Sequence, residues 1–143
     1  MPSVIKPGEK GYFYNGSLDS LLDDNIDISN GINCVPSYEI IKANKEPIEY
    51  EVSDLSLSKD SGCAKVTGRV TNTTDEDDSY IYLNIIYYDS TGKVIGITGT
   101  SVTDIKAGQT VAFDSSSMFM SGDSSYENIA DYKVVAQQVY IQW

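Results

Sequence analysis

Between residues 64 and 71 apolar and polar side chains alternate without a break. Ala64, Val66, Gly68 and Val70 fall on one side of the chain, and Lys65, Thr67, Arg69 and Thr71 on the other. A repeat of two residues belongs to a β-strand with one face buried and one solvated. The run ends at Asn72-Thr73-Thr74-Asp75-Glu76-Asp77-Asp78-Ser79, a polar turn whose charges are costly to bury.

The same repeat governs the rest of the chain from about residue 48 onward. Over Tyr80 to Asp89, Ile81, Leu83, Ile85 and Tyr87 share the face expected in the core, opposite Tyr80, Tyr82, Asn84, Ile86 and Tyr88. Asp89-Ser90-Thr91-Gly92 turns the chain, and Lys93 to Val102 returns as a strand whose Gly96 and Gly99 mark a bulge or close packing. Asp104 to Gln109 is a second turn, followed by Thr110 to Phe113 with Val111 and Phe113 on one side. Tyr132 to Trp143 is the last extended run, and its apolar parity changes, which points to a bulge or a change of sheet near Ala136 to Gln138. Ser17 to Asn25 alone has helical spacing, for two turns at most. Short strands at regular intervals imply an all-β antiparallel sandwich.

Composition narrows the partners. Ten basic against twenty-one acidic residues give a formal net charge of -11, which opposes any general grip on a phosphate backbone or an anionic bilayer. No nucleic acid is expected as a partner. No run approaches the roughly 18 to 20 apolar residues of a membrane span, and Met1 to Lys6 has no apolar signal core. Eleven tyrosines against three phenylalanines suit strands with a half-wet face. Histidine is absent and no C-x-x-C pair occurs, so a Cys/His zinc site lacks ligands. Cys34 and Cys63 leave one disulfide open in an oxidising compartment.

Two stretches recur. Ile5-Lys6-Pro7-Gly8-Glu9 with Phe13 echoes Ile105-Lys106-Ala107-Gly108-Gln109 with Phe113 at an offset of 100. Ser37-Tyr38-Glu39-Ile40-Ile41-Lys42-Ala43 then parallels Asp131-Tyr132-Lys133-Val134-Val135-Ala136-Gln137 at an offset of 94. Residues 1–47 accordingly read as the C-terminal half of a preceding similar module, or an extension packed on the domain, and residues 48–143 as a nearly complete second copy. The alternative is one continuous domain with two similar turns.

Gly68-Arg69-Val70-Thr71-Asn72, Ile85-Ile86-Tyr87-Tyr88-Asp89-Ser90-Thr91-Gly92-Lys93-Val94-Ile95-Gly96 and Ile105-Lys106-Ala107-Gly108-Gln109 with Phe113 together resemble the FxLYD domain family. The namesake motif falls on Ile85 to Asp89, with Tyr88 and Asp89 matching, Ile85 in place of Phe and Tyr87 in place of Leu. The resemblance implies an immunoglobulin-like sandwich, found mostly in surface lipoproteins and secreted proteins of Gram-positive bacteria, often in tandem and with no established activity. Within the motif, Ile85 and Tyr87 are expected to fill the core, Asp89 to accept backbone hydrogen bonds and Gly92 to supply a positive φ.

Catalysis is not expected, since without histidine there is no Ser-His or Cys-His pair and no glycine-rich phosphate loop opens a helix. Asp75, Glu76, Asp77 and Asp78 crowd four carboxylates into one turn and form a calcium candidate, against the commoner reading of a solvated turn. The Tyr80, Tyr82 and Tyr88 stripe is a candidate surface for sugars or peptides, against the plainer reading of a strand's outer face. Asn72-Thr73-Thr74 and Asn15-Gly16-Ser17 fit the N-glycosylation pattern.

The function expected is therefore a non-catalytic, extracellular structural or binding module. It would belong to a secreted or lipid-anchored bacterial protein, and its partner would be a surface protein, a cell-wall component or a neighbouring module. A secreted inhibitor acting through its loops is the alternative.

Overall fold

The computed structural model describes Gly8 and residues 48–60, 63–115, 118–119 and 126–138, with the backbone alone at 118–119. The helical fragment expected at Ser17 to Asn25 and nearly all of residues 1–47 lie outside them. Among the described residues there are seven antiparallel strands: β1 (Glu49–Asp60), β2 (Cys63–Thr71), β3 (Asp78–Tyr88), β4 (Val94–Ile105), β5 (Thr110–Asp114), β6 (Met118–Phe119) and β7 (Asp131–Gln138). A short 3-10 turn, Tyr126–Asn128, precedes β7. The all-β expectation holds.

The strands form one hydrogen-bonded path, β4-β3-β7-β1-β2-β5, with β6 paired to β2. β1 joins its two flanks, because Glu49 and Tyr50 pair with β7 whereas Glu51 onward pairs with β2. The sheet curls around a common interior. Ala64, Val66 and Val70 of β2 and Phe113 of β5 meet Ile81, Leu83, Ile85 and Tyr87 of β3 and Val134 and Ala136 of β7 in one apolar cluster. Burying that surface is the main stabilising term, since each fully enclosed large side chain contributes about 1.5–3 kcal/mol.

The inward faces of β2 and β3 are the expected ones. On the opposite face of β3, however, Asn84 and Ile86 are buried too. β3 lies between β4 and β7, and Asn84 is flanked there by Val135, Ile86 by Ile97 and Lys133. Two turns are shorter than the sequence implies. Asp78 and Ser79 already belong to β3, and Asp104 and Ile105 still belong to β4.

Two irregularities set which side chains face inward. Ser53 opposes Arg69 but Ser56 opposes Thr67, so Asp54 and Leu55 stand against Gly68 alone, a bulge with Asp54 at φ 52°. The extra residue reverses parity, and Val52 and Leu57 both pack on the core. In β4, Tyr87 opposes Gly96 and Tyr88 opposes Val94, which leaves Ile95 as the extra residue beside the expected glycine. The irregularity anticipated at Ala136 to Gln138 does not occur, since β7 pairs with β3 without interruption from Asp131 to Gln138. Residues 139–143, where the parity changes, lie outside the described residues.

Candidate functional site

The turn between β3 and β4 uses its residues for folding. Asp89 Oδ1 accepts hydrogen bonds from Thr91 N (2.8 Å), the Thr91 hydroxyl (2.6 Å) and Lys93 N (3.0 Å). Gly92 closes the turn at φ 80°, a conformation costly for any residue with a Cβ. The Thr91 hydroxyl, followed by the Lys93 and Thr91 amides, holds the Asp89 carboxyl below the usual aspartate range. Ile85 and Tyr87 are completely buried, as expected. Beside this turn is a shallow, open depression of about 430 Å³ lined by Tyr88, Asp89, Ser90, Gly92, Ala130 and Asp131.

The four carboxylates between β2 and β3 face different partners. Asp77 Oδ2 pairs with Lys106 Nζ at 2.8 Å, and its Oδ1 accepts from Ala107 N at 3.0 Å. Lys106 lowers the Asp77 pKa through this hydrogen bond, and Asp77 raises that of Lys106. Asp78 is buried, accepting from the Tyr50 hydroxyl and from Tyr80 N at 3.0 Å. Asp75 and Glu76 are exposed. Among the described residues no three His, Cys, Asp or Glu side chains gather as a metal site.

Asn72, the first residue of the same loop, is completely buried. Its amide donates to Glu76 O (2.8 Å) and Ile105 O (3.3 Å), and its Oδ1 accepts from Thr74 N and the Thr74 hydroxyl. A glycan on that nitrogen would break the loop, so the Asn72-Thr73-Thr74 pattern is a structural element. Cys63 is a free, half-buried thiol donating to Asp60 O at 3.1 Å, and Cys34 lies outside the described residues.

Tyr80, Tyr82 and Tyr88 do share the outer face of β3, but Asn84 and Ile86 separate Tyr88 from the other two. Tyr80 is 40% exposed. Tyr82 lies across the sheet over Gly99 of β4, where a Cβ would stand 2.1 Å from the Tyr82 hydroxyl oxygen and 2.7 Å from its Cζ. Strand register sets Tyr82 between Ser101 of β4 and Gln137 of β7, and Gln137 next to Glu49 of β1. Gln137 is buried, and among the described residues its Oε1 has no hydrogen-bond partner. Ser101 and Glu49 are exposed.

No family model, curated protein or solved structure matches the chain. Its chemistry is therefore read from this geometry alone. Gln137 and Ser101 escaped the sequence reading because only the strand order brings them beside Tyr82, and an isolated glutamine in a strand gives no signal of its own. Gly99 did carry a signal of close packing, without revealing that the tyrosine lies over it.

Proposed function

We propose that the chain is a non-catalytic structural or binding module of a bacterial surface protein, with the immunoglobulin-like sandwich that its resemblance to the FxLYD family implies. What carries this reading is the use made of the motif: Ile85 and Tyr87 fill the core, and Asp89 and Gly92 close the turn. A sequence signature used up in packing and turn formation describes a scaffold. The sandwich is supported by β1, which changes partner from β7 to β2 and so divides the curled sheet into two flanks around one core.

The tandem arrangement belongs to the same proposal. Gly8, the one described residue of the first segment, has φ 86°, and its counterpart in the echo, Gly108, has φ 69°. A shared left-handed glycine is what two copies of one turn would have. Residues 1–47 are then the tail of one module and residues 48–143 the next.

Surface exposure is tested by digesting intact cells that carry the natural full-length protein with a protease that cannot enter them, followed by immunodetection. Loss of the module's signal while a cytoplasmic marker survives is the expected result. Protection of the module until the cells are lysed would refute the placement.

A further inference from the structure

We infer that the outer face of β4, β3, β7 and β1 is a binding site for an uncharged, extended oligosaccharide, centred on Tyr82 and Gln137. The inference rests on the reading of the chain as a surface binding module and names the ligand class.

The first observation is the seat of Tyr82. A tyrosine on a crowded sheet normally stands among its neighbours' side chains. Here Gly99 removes the one Cβ that would hold the phenol end away from β4, so the ring reaches across the sheet as a platform. Tyr80 follows on the same face at two residues' distance, roughly 7 Å along the strand, and is the more exposed of the two. Two aromatic platforms in file suit a ligand with repeated flat, C–H-rich faces, which is what equatorially linked pyranose rings present.

The second observation is independent of the aromatics. Gln137 Oε1 is buried, without a partner among the described residues, on the side of the sheet that carries Tyr82. Buried acceptors are nearly always paired, and an unpaired one favours whatever brings a donor. A sugar hydroxyl or an acetamido N–H reaching past Tyr82 supplies it. Ser101, at one end of the same cross-strand row, adds an exposed hydroxyl suited to a further ligand hydroxyl.

Charge and shape select among ligands. A net charge of -11 disfavours polyanions. A folded protein partner needs a cluster of large apolar anchors. Among the described residues only Leu55 and Tyr80 are large, hydrophobic and exposed, and Leu55 lies on β1 opposite β2, away from this row.

The test is titration of the purified full chain with the β-1,4-linked hexamer of N-acetylglucosamine, followed by calorimetry and by amide chemical shifts. Saturable binding is expected, with shifts on β3, β4 and β7 around Tyr82. Tyr80→Ala, at an exposed position, and Gln137→Leu should each weaken it, and Gly99→Val should weaken it roughly tenfold or more by displacing the Tyr82 ring. Tyr88→Ala, at the far end of β3, should leave it unchanged. Absence of saturable binding, equal loss with Tyr88→Ala, or tighter binding of hyaluronan or of an unstructured peptide would overturn the inference. If the hexamer fails to bind while intact cells still expose the module to protease, only this site falls.

Discussion

The side-chain amide of Asn72 donates to the carbonyl of Ile105 at 3.3 Å, tying the end of β2 to the end of β4. Backbone bonds reinforce the tie, since Asn72 N donates to Gln109 O and Gly108 N donates to Asn72 O. One buried residue thus holds two turns together. Asn72→Ala leaves the Glu76 and Ile105 carbonyls without this donor and Thr74 without its acceptor, and should cost about 2–4 kcal/mol. Urea denaturation should show a lower midpoint with an unchanged slope.

Gly68 is held small by its neighbours. A Cβ there would lie 2.6 Å from Leu55 Cδ2 and 2.9 Å from Phe113 Cζ. Gly68→Ala should destabilise by about 1–2 kcal/mol, overpacking outweighing the gain in strand propensity. Leu55 is exposed and can yield, whereas Phe113 is buried. Adding Leu55→Ala should therefore recover part of the loss and no more, as a double-mutant cycle would show.

Tyr87 is completely buried, and its hydroxyl lies 3.3 Å from Thr98 Oγ1. That contact is long, so most of the residue's contribution is volume. Tyr87→Phe should cost under about 1 kcal/mol, Tyr87→Leu about 1–3 kcal/mol and Tyr87→Ala about 3–5 kcal/mol. The same order should appear in thermal midpoints.

Acid should weaken the two turns. Thr91 and the neighbouring amides depress the pKa of Asp89, and Lys106 with the Ala107 amide depresses that of Asp77. A carboxyl with a lowered folded pKa stabilises fully above its unfolded value, near 3.9, and loses that contribution as pH falls through the folded value. Stability should thus drop below about pH 4, and less steeply in Asp89→Asn, which starts from a lower stability at neutral pH. Lys106, its pKa raised by Asp77, contributes below its unfolded value and loses that contribution as pH rises through the folded one. The Asp77–Lys106 pair is therefore complete between about pH 4 and 10. Thermal midpoints measured across this range check both limbs.

The core could be read in the sequence wherever a strand keeps strict alternation, as in Val66 and Val70 or Ile81 to Tyr87. The turn at Asp89 to Gly92 was legible for a similar reason, because local hydrogen bonding and one positive φ determine it. The bulge at Asp54 was hidden, although the opposite parities of Val52 and Leu57 were its trace. Burial of Asn84 and Ile86 on β3 and of Gln137 on β7 breaks the local alternation, and the strand order around them is decided by long-range pairing. The acidic turn looked like a cluster in one dimension, but its backbone directs Asp77 toward Lys106 and Asp78 toward Tyr50.

Residues 48–143 contain every described strand and the whole apolar cluster. Calorimetry of that fragment, with residues 1–47 removed, is the decisive measurement. One cooperative transition is expected, with equal calorimetric and van't Hoff enthalpies of about 0.7 kcal/mol per residue near 60 °C. A broad, non-cooperative melt would show that the core needs the first segment, and the self-sufficient module would have to be abandoned.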